Sequence, residues 1–411
     1  SMGGIVNSTV GLYMEPFQMQ DVTIIGTEDA ENTEIVQKLV SATESFAGGA
    51  IGLGLGGTIS GVVISNLSEV SANNYAGGFA GAIGTGDIVD AGGLNLLGLN
   101  LISVNNLLSV GSAIQTEIEN SEVQGTEMSV SATGKYETET DAFYAGGFIG
   151  NAMAVKAQNC HVTGLASVSA DEKAGFAGGF LGGARTEGLA DVGEAAEAGK
   201  LLNLSGLLDA APYFRCELND TTVAYTGNAE VTADVAGGFA GDLQSTFINV
   251  PDESETIQTE KKYAVTGIRE VNGSTYAGGF AGRIVSGAFV SAGKGLQVLD
   301  GILQISAADL VNLIQAYYSR VYDAGVEGNS LRVTASSMAN NDSNSGSAGG
   351  YLGYGSAMTI ENSDVKGLAH TDVKEPKALE DVDGSNYFNL EESAYAVTGR
   401  HFAGGYAGKI D

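Results

Sequence analysis

Apolar and polar residues alternate with a period of two in four stretches of the chain: MSVSA at 128–132, ASVSA at 166–170, VTADV at 231–235 and RVTAS at 332–336. That period sends successive side chains to opposite faces of an extended backbone, so each stretch predicts a strand with one buried face. No continuous helical period runs through them. A motif of small residues follows each stretch. It reads AGGAIG from Ala47, AGGFAG from Ala76, AGGFIG from Ala145, AGGFLG from Ala177, AGGFAG from Ala236 and Ala277, AGGYLG from Ala348 and AGGYAG from Ala403.

The second glycine of each pair falls at 49, 78, 147, 179, 238, 279, 350 and 405, so shorter and longer gaps alternate. A unit of about 30 residues cannot bury its own apolar face, whereas a stack of such units can. The expectation is a mainly β chain: a parallel β-solenoid of about eight coils, with short helical insertions in alternate coils. Coils would repeat at about 4.8 Å, giving a rod of roughly 40 Å. Residues 1–2 read as a cloning scar and 3–411 as one repeat domain. Its double units run roughly 47–145, 145–236 and 236–348, with a terminal unit at 348–411. Stacking would pile Phe79, Phe148, Phe180, Phe239, Phe280, Tyr351 and Tyr406 into an internal ladder. The glycines would leave room for the rings and permit a corner with positive φ.

A second signature, an Asn followed by small or acidic residues and Val, occurs as NSTVG at 7–11, NSEVQG at 120–125, NCHVTG at 159–164 and NSDVKG at 362–367. NLSEV at 66–70 and NDTTV at 219–223 are looser versions. Its Asn is expected to stack as well, with its amide bonding to the next turn and the corner backbone. With both signatures in hand, the span Gly146 to Gly182 resembles the GLUG repeat of bacterial surface proteins. That repeat reads G-G-L-V-G, a spacer, N-C/S-x-V-x-G, alternating residues and G-G-L-V-G again. Here Phe or Tyr replaces Leu, and every second unit is enlarged. The resemblance implies an extracellular, adhesin-like or wall-attached protein, sometimes with a peptidase domain elsewhere in the polypeptide. It carries no catalytic residue onto this chain.

The longer gaps hold apolar insertions that open alike, with DAGGLNLLGLN from Asp90, EAGKLLNLSGLL from Glu197 and SAGKGLQVLDGIL from Ser291. The third has a helical face of Leu299, Ile302, Leu303, Leu310, Leu313, Ile314, Tyr317 and Val321. Either the insertions pack on one side of the stack, or they form a ridge for a partner, with Tyr317, Tyr318 and Tyr322 as anchors.

Charge narrows the partners. Asp and Glu number 49 against 19 Lys and Arg, a net charge of −30. Such a surface repels phosphate backbones and acidic leaflets, so nucleic acid and membrane insertion are not expected. The most apolar stretch, Leu94 to Val110, is interrupted by Asn95, Asn100, Asn105 and Asn106. Cys160 and Cys216 are too few for a disulfide framework or a zinc site; they read as two buried thiols or as one bridge between neighbouring turns.

Little chemistry is marked. His161, His370 and His401 make no ligand spacing, and His161 is expected to face outward from a strand. GLGLGG at 52–57 lacks the strand–helix context and the Lys of a phosphate loop and reads as a variant corner. No catalytic residue is assigned and the chain is not read as an enzyme. Oxygen ligands in NDSNSGS at 341–347 (Asp342, Asn344) and EDVDGSN at 380–386 (Asp381, Asp383) suit calcium, the sole cofactor the chain hints at. The functional expectation is a structural or adhesive domain from a longer exported bacterial protein. Located at the cell surface or wall, it would meet a surface protein or glycan of a host or neighbouring cell. The alternative is a polysaccharide lyase or glycoside hydrolase on a β-helix scaffold.

Overall fold

A computed structural model describes residues 2–3, 6–10, 17–25, 38–42, 45–84, 115–138, 141–185, 215–251, 262–286, 318–336, 346–369, 379–380, 386–387 and 396–411. Among these residues every regular element is a strand. Every described strand pair is parallel except Leu379–Glu380 with Asn386–Tyr387, so the mainly β, parallel-sheet expectation is met.

The residues after each glycine pair build a nine-stranded parallel sheet in chain order. Its strands are Val6–Val10, Ile51–Leu55, Ala80–Gly84, Ile149–Met153, Leu181–Arg185, Ala240–Gln244, Ala281–Val285, Leu352–Gly355 and Ala407–Ile410. The motif's own Ala-Gly is in register from unit to unit: Ala47 with Ala76, Ala76 with Ala145, Ala145 with Ala177, and so on to Ala348 with Ala403. One copy is disguised in the sequence. Met2 pairs with Ala47, Gly3 with Gly48 and Val6 with Ile51, so Met2 holds the place of the motif's Ala and Gly3 that of its first Gly. NSTVG at 7–11 is therefore not an Asn signature: Val6–Val10 lies on the nine-stranded sheet.

The ring ladder forms as expected. Phe79, Phe148, Phe180, Phe239, Phe280, Tyr351 and Tyr406 stack with centroids 4.6 to 5.2 Å apart and interplanar angles of at most 15°. The first six are fully buried. Each such contact adds about 0.5–1.5 kcal/mol beyond area burial. Tyr351 keeps its hydroxyl satisfied by donating to the Ala324 carbonyl at 2.8 Å. Around the rings lie rows of Val, Ile, Leu and Ala from the alternating strands, such as Val70, Val130, Val168, Val231, Val271 and Val333, in register from unit to unit.

The motif glycines serve differently from the expectation. None of them has positive φ. A Cβ on the first of each pair would strike the same unit's backbone, for example Ile149 O at 1.9 Å from Gly146. On the second it would usually strike the next unit's backbone, as Gly147 would strike Gly179 O at 2.0 Å. The left-handed conformation belongs to another corner, where Asp21, Gly61, Asn120, Asn159, Asp220, Asn249, Asp323 and Asn362 all have positive φ. Gly, Asn and Asp tolerate that region best. There the amides link units as predicted: Asn159 Nδ2 donates to Asn120 Oδ1 at 2.7 Å, and Asn362 Nδ2 to Asp323 Oδ1. NLSEV is misassigned to this row, because Gly61 holds the place and Asn66 sits at a later kink.

The insertions at 85–114, 186–214 and 287–317 lie outside the described residues, and with them the helical expectation over most of its length. At the end of the third, Ser319–Tyr322 is a strand paired with Phe247–Ile248, so the helical face drawn to Val321 overran. The apolar order that mimicked a helix turn there is a strand's inward Val321 following the insertion.

Candidate functional site

Two outer features repeat along the stack. One is the edge from which the insertions spring. In compact units the nine-stranded sheet passes to the next strand through a short corner at Gly56, Ala154, Ser245 or Ser356–Ala357. In alternating units an insertion falls between the same two strands along the chain, after Gly84, Arg185 or Ser286. Its two ends are held together at the root. Thr116 Oγ1 donates to Gly84 O at 2.5 Å, and Ser319 Oγ to Val285 O at 2.7 Å. Cys216 Sγ lies 3.8 Å from Arg185 O. The compact corner of the preceding unit caps the same carbonyls: Gly56 N to Gly84 O at 3.1 Å, Ala154 N to Arg185 O at 3.3 Å and Ser245 N to Val285 O at 3.1 Å. Thus the described residues that flank each insertion are tied to one another and to the preceding unit.

The other feature is the outer face of the nine-stranded sheet. The residue just after each motif forms a row running Leu53, Ala82, Asn151, Gly183, Asp242, Arg283, Tyr354 and Lys409. The residue just before each motif supplies a second, external aromatic row. Phe46, Tyr75, Tyr144 and Phe176 stack at 4.8, 5.5 and 4.9 Å. Val235 ends that run, and Tyr276 then stacks on Tyr354 at 5.1 Å.

Charge is concentrated where the two rows meet. Asp242 is fully buried and held by Arg283 through two hydrogen bonds of 2.7 Å, with Gln244 Nε2 donating a third of 2.7 Å. Asp242 raises the Arg283 pKa above the usual arginine range. Arg185 sits beside them with its guanidinium 4.9 Å from the Tyr144 ring centre and 5.8 Å from that of Phe176. Burial lowers its pKa; the field of Asp242 opposes this and that of Arg283 adds to it. Three buried polar atoms here have no hydrogen-bond partner: Tyr144 Oη, Asn151 Oδ1 and Arg185 Nε. Nearby Asp234 accepts from Thr275 Oγ1 at 2.6 Å, and burial pushes its pKa up to about 6.

The residues singled out in the sequence do not assemble into a site. Asp342, Asn344, Asp381, Asp383 and Tyr317 lie outside the described residues. Tyr318 is half-buried, and Tyr322, also half-buried, donates its hydroxyl to Glu361 Oε1 at 2.9 Å. Among the described residues no three His, Cys, Asp or Glu come together as a metal site. Cys160 and Cys216 are free buried thiols whose pKa values burial pushes up to about 12 and about 11, which leaves them protonated and unreactive. His161 stands on an outer row between Asn159 Oδ1 and Thr222 Oγ1, each at 2.8 Å. GLGLGG is strand, corner and strand, with the corner at Gly56. Among the described residues no helix is long and apolar enough to cross a membrane.

The Tyr144, Asn151, Arg185, Asp242 and Arg283 cluster escaped the sequence reading, although a signal was present. Aligning the motifs and comparing the letters just outside them isolates both outer rows, and the opening Tyr of YAGGFAG belongs to one. No family model, curated protein or solved structure matches the chain.

Proposed function

We infer that the protein is an extracellular structural and adhesive module of a bacterial surface protein. In this reading it is a parallel β-solenoid whose eight motif-bearing coils follow the coil that holds Met2. The observation that carries the reading is the unbroken ring ladder from Phe79 to Tyr406. A stack in which every unit lends its apolar side to the next gains length without a second core, which suits a stalk. Insertion roots recur on one edge at every second coil, about 9.6 Å apart or twice the strand spacing, on a stiff support. The net charge of −30 favours solubility, and the likeness to GLUG repeats supports a surface setting. A surface protein or glycan of a host or neighbouring cell is the partner class.

Antibody raised against the chain tests the location. Labelling of intact cells of the source organism is expected; labelling only after lysis would remove the surface role. Small-angle scattering tests the shape, with a particle at least about 40 Å long expected.

A second reading, a polysaccharide lyase or glycoside hydrolase, draws on Asp234. A carboxylate raised to about 6 near Arg283 has the proton affinity that acid–base catalysis needs. Turnover of acidic or neutral glycans that Asp234→Asn abolishes would establish it.

A further inference from the structure

We propose that Tyr144, Asn151 and Arg185 form a binding site for a sugar carboxylate, a hexuronate unit, on the outer face of the nine-stranded sheet. The inference stands on the geometry of that face and does not need the stalk reading.

Arg185 is anomalous in this chain. Acidic residues outnumber basic ones 49 to 19, yet no carboxylate among the described residues lies within ion-pair distance of its guanidinium. The neighbouring carboxylate, Asp242, is already bound bidentately by Arg283. A planar guanidinium with free donors in a partly buried place is the group that recognises a carboxylate best.

The other two atoms refine the ligand. Asn151 is 7% exposed and Tyr144 1%, and a buried polar atom left unpaired is destabilising. Asn151 Oδ1 accepts only, so its partner must be a donor. Tyr144 Oη donates or accepts, and Arg185 Nε only donates. A ligand that satisfies all three carries a carboxylate for Arg185 and a hydroxyl for Asn151, with Tyr144 bonding to either. A simple anion lacks the donor, and a neutral sugar lacks the charge.

Register brings these groups onto one face. Asn151 lies opposite Gly183, and Arg185 follows Gly183 by two residues, opposite Met153. Gly183 contributes no side chain to the row, and Tyr144 lies across the gap. A Cβ on Gly183 would sit 2.8 Å from Tyr144 Cε1 and 3.8 Å from Asn151 Oδ1. Both orphaned side chains therefore converge on the one glycine. Arg185 is half-buried as a residue while the three unpaired atoms are buried, so a ligand would reach them past the Arg185 side chain.

Calorimetric titration of the 411-residue chain at low salt, with glucuronate, glucose and acetate as probes, tests the site. Saturable binding of glucuronate is expected, at least tenfold tighter than either control. Arg185→Met should weaken it at least tenfold, Asn151→Ala severalfold, and Arg185→Lys should fall between wild type and Arg185→Met. Thermal unfolding of each variant reports whether it folds; Asn151→Ala and Arg185→Lys carry the test if Arg185→Met does not. Absence of glucuronate binding, equal binding of acetate, or binding indifferent to these substitutions would overturn the proposal. If none of the probes binds and Arg185→Met gains stability, the polar trio is an internal feature of the fold.

Discussion

A Cβ placed on Gly147 would lie 2.0 Å from the carbonyl oxygen of Gly179, the matching glycine one unit further on. The same contact recurs at Gly49, Gly78, Gly238, Gly279 and Gly350, each against the next unit's glycine carbonyl at 2.0 to 2.1 Å. It is missing at Gly405, where nothing lies within 4 Å. The second glycine is thus required by the neighbour, not by its own backbone angles.

Two substitutions separate these causes. Gly147→Ala should destabilise by more than about 4 kcal/mol or prevent folding, because only backbone is available to yield. Gly405→Ala should fall within about 1 kcal/mol of wild type. Urea unfolding of both measures the difference, and similar losses would refute the packing argument.

The ring ladder should be costly to interrupt and cheaper to trim. Phe180→Ala removes a fully buried ring stacked on both faces and is expected to lose about 3–5 kcal/mol. Tyr406→Ala, at the end of the stack and 37% exposed, should lose about 1–2 kcal/mol. Chemical denaturation that ranks the two in the opposite order would contradict an internal ladder.

Asp234 gives a pH dependence of defined sign. Its folded pKa of about 6 lies above the ordinary carboxylate value of 3.8, so the folded state binds the extra proton between those values. The stabilising term is present at low pH and is lost as pH rises through about 6. Asp234→Asn, which keeps an acceptor for Thr275, should therefore be more stable than wild type by about 1–3 kcal/mol at pH 8, with the gap closing near pH 4. Melting curves across that range would show a constant gap if the assignment is wrong.

The insertion roots predict that the stack survives excision. Deleting residues 287–318, with Ser286→Gly joined to Ser319, recreates a short corner like Gly355–Ser356–Ala357–Met358, where Ala357 has positive φ. Cooperative unfolding should persist, with stability within about 2 kcal/mol of wild type, the scale of a loop-closure change. Loss of the cooperative transition would show that the insertion supports the stack.

Much of the architecture was legible because each unit repeats its letters. The alternation in MSVSA and ASVSA, the Phe and Tyr after each glycine pair and the Asn of NSEVQG and NCHVTG all name positions that stack on their own copies. A stacked repeat turns sequence register into spatial contact, so a pattern along the chain becomes a row through the structure. Two places are disguised because the letter changes while the position stays, Met2 for Ala and Gly61 for Asn; at Val321 the cause is different, since an inward strand residue after an apolar insertion extends a helical spacing by chance.

By itself, then, the sequence determined the strand period, the parallel recurrence and the identity of the inner ladder, since these depend on local alternation and repetition. Tertiary structure alone decided why the second glycine is needed, that the residues flanking each insertion meet, and that Tyr144, Asn151 and Arg185 share one outer face. Those relations arise between units. Their geometry depends on how closely one backbone settles on the next and on which outward side chains lean together, and neither quantity is encoded in the spacing of residues along a single unit.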